Sequence, residues 1–133
     1  MISPHPITLD AARSSPLVLV VDDDPDLLAL IEEALTIRGI RVSGAKHGEE
    51  ALEHVARERP SLILLDMRMP VMDGWTFART LRARYGRAIP IVVLTAAEDA
   101  EARAAEIGAE ANLGKPFELQ DLDQIVSRTL GAA

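Results

Sequence analysis

LVLVVDDDPDLLALIEEALTIRG, residues 17–39, decides the fold. Five apolar residues run straight into three carboxylates and a proline. A segment with Leu27, Leu28, Ile31 and Leu35 on one helical face follows. The apolar run predicts a short strand covered on both faces. The second segment predicts a helix over 25–38, with Gly39 suited to stop it. The acidic run between them is costly, because two like charges about 4 Å apart repel by about 4 kcal/mol at an effective dielectric of about 20. The aspartates separate into different roles. Asp24 precedes Pro25, and proline is favoured at the first helical position, so Asp24 reads as the N-cap. Asp26 then lies in the first turn, where negative charge is favoured. Asp22 and Asp23 come before the cap, at the strand end, and their repulsion calls for a cation or a water-filled cleft. Asp22, Asp24, Asp26 and Glu33 also fall at EF-hand spacing. Leu27 stands where that loop needs glycine, and Pro25 and an apolar helical face follow, so a calcium loop is excluded.

Composition narrows the classes. The chain has 133 residues, enough for one domain with a real core. Its 48% hydrophobic and 26% charged residues are ordinary for a globular protein. With no cysteine there is neither a disulfide frame nor a thiolate metal site. A formal charge of −7 argues against direct nucleic-acid binding, which needs Lys and Arg against phosphate. No apolar run is long enough to insert into a membrane, and MISPHPITLDAARSSP lacks the basic and apolar regions of a secretory signal. The default expectation is a cytoplasmic protein. Residues 1–16, with three prolines and no sustained period, read as a flexible N-terminal tail, and 17–133 as one domain.

Beyond residue 39 the same alternation continues. IRVSGA (40–45) reads as a weaker strand, and EEALEHVARER (49–59) as a helix ended by Pro60. LILL (62–65) is a second buried strand, followed by a helix over 74–86. IPIVVL (89–94) is a third buried run, followed by an Ala- and Glu-rich helix over 97–108. ANLG (111–114) is a short strand, and 118–130 the last helix. Five strand–helix repeats with short loops predict an α/β fold: a parallel sheet, right-handed crossovers and helices on both faces. Such sheets bind ligands outside the carboxyl ends of their strands.

Every position of chemical interest falls at such an end. Asp66 follows LILL; a strand-end Asp is a common turn former, yet beside Asp22 and Asp23 it would complete a three-carboxylate pocket suited to a hard divalent ion. Thr95 ends the run before 97–108. It reads equally as a functional hydroxyl and as the start of a Thr95-x-x-Glu98 capping box. Lys115 sits between a strand and Pro116, so its direction is constrained. Gly108 to Lys115 is one residue too long for a phosphate loop, and Pro116 replaces the hydroxyl that would hold Mg²⁺. His47 and His54, seven apart, read as exposed histidines, and Trp75 as a packing residue close to Asp66.

Four elements in order now resemble a known family. An acidic pair after the first strand, Asp66 with M-P-x-M-D-G after the third, Thr95 after the fourth and Lys-Pro-Phe after the fifth are similar to the receiver domain of two-component response regulators. The resemblance covers residues 17 to about 130. It implies a flavodoxin-like (CheY-like) doubly wound (βα)5 fold with strand order 2-1-3-4-5. It implies that Asp66 is the phosphoacceptor, served by the phosphohistidine of a sensor histidine kinase or phosphotransfer protein. Mg²⁺, or Mn²⁺, would be held by Asp22, Asp23, Asp66 and the backbone carbonyl of Arg68. Thr95 and Lys115 would contact the phosphoryl oxygens, and the Lys115–Pro116 bond would be cis. The implied output is a protein target at the face formed by the fourth helix, fifth strand and fifth helix.

One departure is specific. Where the family places a Tyr or Phe three residues before the lysine, this chain has Asn112. Switching is then expected to run through the Thr95 loop and the Ala-rich helix 97–108. Arg68, two after the phosphoacceptor, and Ala97, two after Thr95, predict slow to moderate self-hydrolysis. Two alternatives are weighed: a pseudo-receiver that binds partners without phosphorylation, and a haloacid-dehalogenase-like phosphatase using Asp22-x-Asp24. The phosphatase lacks the expected Thr, and the chain is short for that class. No output domain follows the last helix in this sequence, so it reads as a stand-alone module or as part of a longer regulator.

Overall fold

A computed structural model describes residues 15–132. The expected tail lies outside the described residues as far as residue 14. Its last two residues, Ser15 and Pro16, are held to the second strand, where Arg41 donates from Nη2 to the Ser15 carbonyl (3.0 Å) and from its backbone N–H to the Pro16 carbonyl (3.0 Å).

Five strands and five helices alternate: β1 (Leu17–Val21), α1 (Pro25–Ile37), β2 (Arg41–Ala45), α2 (Gly48–Arg57), β3 (Leu62–Asp66), α3 (Gly74–Tyr85), β4 (Ile91–Ala96), α4 (Ala100–Ile107), β5 (Ala111–Lys115) and α5 (Leu119–Ala132). The strands form one parallel sheet in the order β2-β1-β3-β4-β5. Sheet order and class agree with the reading of the sequence.

The period of two along each strand divides the core. Leu19, Val21, Ile63, Leu65, Ile91 and Val93 point to one face and pack against Leu52 and Val55 of α2 and Phe77 and Leu81 of α3. Val18, Val20, Leu62, Leu64, Val92 and Leu94 point to the other, against Ile31 and Leu35 of α1 and Leu122 and Val126 of α5. All residues of β1 and β3 are buried, which is why these strands read as unbroken apolar runs. The edge strands β2 and β5 are only half covered and read more weakly.

Helix ends follow the local chemistry. Asp24 caps α1 as predicted, its Oδ1 accepting from the N–H groups of Asp26 (3.0 Å) and Leu27 (3.3 Å), and Gly39 takes φ +81° after the helix. His47 caps α2, its Nδ1 accepting from the Glu50 N–H (3.2 Å) while Glu50 Oε1 accepts from the Lys46 N–H (3.0 Å). Asp73 caps α3 through the Thr76 N–H (2.9 Å). The Thr95-x-x-Glu98 capping box does not form. β4 runs on to Ala96, paired with Lys115 of β5, and α4 starts only at Ala100, without a side-chain cap. Thr95 is committed to the sheet ladder, four residues before the cap position at Asp99. Among the described residues, no helix is long and apolar enough to cross a membrane.

Candidate functional site

The carboxyl ends of β1, β3, β4 and β5 bring the predicted residues together. Asp22 directly follows β1, Asp66 ends β3, Thr95 is the penultimate residue of β4, and Lys115 ends β5. Register fixes their order along the sheet edge: Asp66 pairs with Leu94, and Thr95 with Gly114. One carboxylate oxygen from each of Asp22, Asp23 and Asp66 lies within 4.8 Å of the others. Asp22 and Asp66 are buried, and Asp23 is exposed.

The opening repulsion is therefore met in two ways. Asp23 keeps its charge in solvent. Asp22, at 1% exposure, accepts from Lys115 Nζ at Oδ2 (2.6 Å), and its Oδ1 accepts from the Asp24 N–H (2.9 Å). The lysine thus supplies inside the chain part of the positive charge that the acidic run called for. The same ammonium lies 3.8 Å from Asp66 Oδ1. Asp66 also accepts from the Arg68 N–H (3.4 Å). Its pKa is raised from 3.8 to about 6, chiefly by burial and then by Asp22, while Lys115 and the Arg68 N–H pull it down.

Three carboxylates and one ammonium leave two net negative charges among hard oxygen donors. That donor set fits a small divalent cation such as Mg²⁺. An open cleft of about 400 Å³ lined by Asp23, Arg68, Met69, Pro70, Asp73 and Trp75 gives access from solvent.

Glycines hold the surrounding loops close, a role the sequence reading missed. A Cβ on Gly74 would lie 2.7 Å from Met67 Cα and 2.9 Å from the Asp66 carbonyl oxygen. One on Gly114 would lie 2.5 Å from Ala97 Cα, and the Ala97 N–H donates to the Lys115 carbonyl (3.1 Å). Each glycine sits one or two residues from a polar motif, at D-G and G-K-P, and that adjacency is the available signal. Trp75 does more than pack. Its Nε1–H donates to Glu106 Oε1 of α4 (2.8 Å), and its ring centroid lies 5.7 Å from the Arg103 guanidinium carbon and 6.0 Å from that of Arg68. The Lys115–Pro116 bond is cis, as the resemblance implied. Asn112 is exposed on β5.

The model of the response regulator receiver domain matches residues 18–127. The chain belongs to this family of signalling switches. The receiver domain is 45% identical over 116 residues to the transcriptional regulatory protein PrrA of Mycobacterium leprae, covering 86% of this chain and 49% of the relative. It thus spans about half the length of the curated relatives it matches. The chemotaxis response regulator CheY4 of Vibrio cholerae superposes with a TM-score of 0.80 at 31% identity, covering 87% of this chain and 99% of that one. The receiver domain of the Pseudomonas aeruginosa sensor histidine kinase PA1611 superposes with a TM-score of 0.79 at 35% identity, covering 89% and 99%. That structure holds a magnesium ion in its active-site cleft. The fold is the flavodoxin-like, CheY-like receiver fold of two-component systems.

Proposed function

We propose that Asp66 accepts a phosphoryl group from the phosphohistidine of a sensor histidine kinase or phosphotransfer protein, and that this switches a protein-binding surface. The observation that carries the reading is the convergence of Asp22, Asp23 and Asp66 within 4.8 Å, with Lys115 against two of them. The ionised Asp66 oxygen attacks phosphorus as the histidine N–P bond breaks, and the imidazole nitrogen keeps the electron pair and takes up a proton. In a separate step water attacks phosphorus, the Asp66 O–P bond breaks, and inorganic phosphate leaves.

Phosphoryl transfer asks mainly for position and charge neutralisation. Lys115 sits 3.8 Å from the Asp66 oxygen and offsets charge on the incoming group. Asp22 holds that ammonium in place at 2.6 Å. The Thr95 hydroxyl donates a hydrogen bond to a phosphoryl oxygen. Asp22, Asp23, Asp66 and the Arg68 backbone carbonyl would hold Mg²⁺ or Mn²⁺. When bound, the ion supplies further positive charge against the phosphoryl oxygens.

The readout follows from the departures. Asn112 offers no ring to bury, so the signal passes through the β4–α4 loop, where Ala97 rests on Gly114, and through α4. Trp75 touches both Arg68, next to the phosphoacceptor loop, and Arg103 and Glu106 of α4, so one indole senses both. With Arg68 beside Trp75 and no side chain at Ala97 to position water, self-hydrolysis is slow to moderate. The output is a protein target at the α4–β5–α5 face, and the domain works in the cytoplasm. The PrrA relative, a transcriptional regulatory protein, supports transcription as the downstream process.

Beryllofluoride, a phosphoryl mimic, tests this. Added with Mg²⁺, it changes Trp75 fluorescence in the wild type and leaves Asp66→Ala unchanged. An unresponsive wild type, or an equal response in Asp66→Ala, overturns the reading.

A further inference from the structure

The groove between α3 and α4 carries positive charge that the switch does not use. It encloses about 440 Å³ and is lined by Trp75, Arg79, Arg82, Arg87, Glu106 and Gly108 among others. Arg79 and Arg87 are exposed. Among the described residues Arg79 has no hydrogen-bond or ion-pair partner. Arg87 Nη1 and Arg82 Nη2 donate to the same carbonyl, that of Gly108, at 3.1 and 3.2 Å. Arg82 keeps two enclosed nitrogens, Nε and Nη1, without a partner.

The nearby carboxylates do not balance this. Glu106 is committed to Trp75 Nε1 and to Arg103 (3.2 Å). Glu110 lies 3.8 Å from Arg82, and its Oε1 already accepts from the Ile91 N–H (2.7 Å). Burial lowers the Arg82 pKa, Glu110 raises it, and Arg87 lowers it again. Three guanidinium groups therefore face one loosely placed carboxylate, on a chain whose formal charge is −7. A cationic groove in an acidic protein selects anions locally while the rest of the surface repels them. Guanidinium forks match phosphate oxygens, and the volume falls in the range of small-molecule sites.

We propose that this groove binds a small anion carrying two linked phosphates, held by Arg79 and Arg87 with Arg82 behind them. Trp75 also lines the groove, where Arg68 and Arg103 already lie over its ring, so the arginines alone hold the anion. Binding here does not require Asp66 to accept a phosphoryl group.

The test titrates the full chain with inorganic pyrophosphate and with ADP. Ionic strength is held constant, and EDTA keeps divalent ions from the acidic pocket. Amide shifts and Trp75 fluorescence are recorded. Both probes give saturable shifts within residues 75–87 and 103–110. Affinity falls about tenfold or more in an Arg79→Ala, Arg87→Ala double variant that still responds to beryllofluoride. Asp66→Asn binds both probes like the wild type. ADP and pyrophosphate bind with similar affinity, as expected where the arginines hold the two phosphates alone. Shifts that never saturate, shifts centred on Lys115, or a double variant that binds as tightly as the wild type overturn it.

Discussion

Asp66 is held in a state that costs stability until something answers its charge. Its folded pKa of about 6 lies above the ordinary 3.8. The fold therefore prefers the protonated form. This contribution is fully present below about pH 3.8 and is lost as pH rises through about 6. In metal-free buffer Asp66→Asn is thus more stable than the wild type above pH 6, by about 1–3 kcal/mol, and the gap closes towards pH 4. Urea denaturation across that range measures it; a gap independent of pH contradicts the assignment. Val71 is strained in another way, a β-branched residue at φ +68° with 74% of its surface exposed, in the loop after Asp66. Val71→Gly removes the Cβ that makes this backbone costly and should stabilise the chain by about 1 kcal/mol by the same assay. Neither property was legible in the sequence. Burial and like-charge neighbours around Asp66 come from separate strands, and M-P-V-M-D-G carries no mark of a left-handed valine. Asp22, Asp66 and Thr95 were legible because each sits at the end of an apolar run, and Lys115 because it stands between a strand and Pro116.

Elements were legible where burial on both faces wrote continuous apolar runs, as in β1, β3 and β4. Boundaries were less so. The expected helix 97–108, for which a Thr95 cap was one of two equal readings, begins at Ala100, because pairing with β5 carries β4 to Ala96. The cap of α2 went unnoticed because histidine is a rare choice there. Its Nδ1 must be unprotonated to accept from the Glu50 N–H. His47→Ala should therefore destabilise the protein by about 1 kcal/mol, and His47→Asn should restore most of it. Melting temperatures of the two variants check this; equal losses in both point to packing in place of capping. With two buried alanines and no side-chain cap, α4 is the weakest-anchored helix by these measures, which suits the element proposed to move.

At the scale of the molecule, one sheet edge concentrates charge from three strand ends while both faces of the sheet stay apolar. Strand order places β1 and β3 side by side, and that adjacency turns distant aspartates into one pocket. The chain order of the motifs revealed this architecture before any coordinate. The α3–α4 groove was not visible in that way, because Arg79 and Arg82 lie on α3, Arg87 lies in the loop after it, and no spacing in the sequence marks them as one group. The central claim is that Asp66 takes up a phosphoryl group. Intact mass after incubation with Mg²⁺ and acetyl phosphate tests it most directly. The account predicts a gain of one phosphoryl group in the wild type, lost in Asp66→Asn and absent when EDTA replaces Mg²⁺. A wild type that gains nothing, or an Asp66→Asn chain that gains as much, would contradict it.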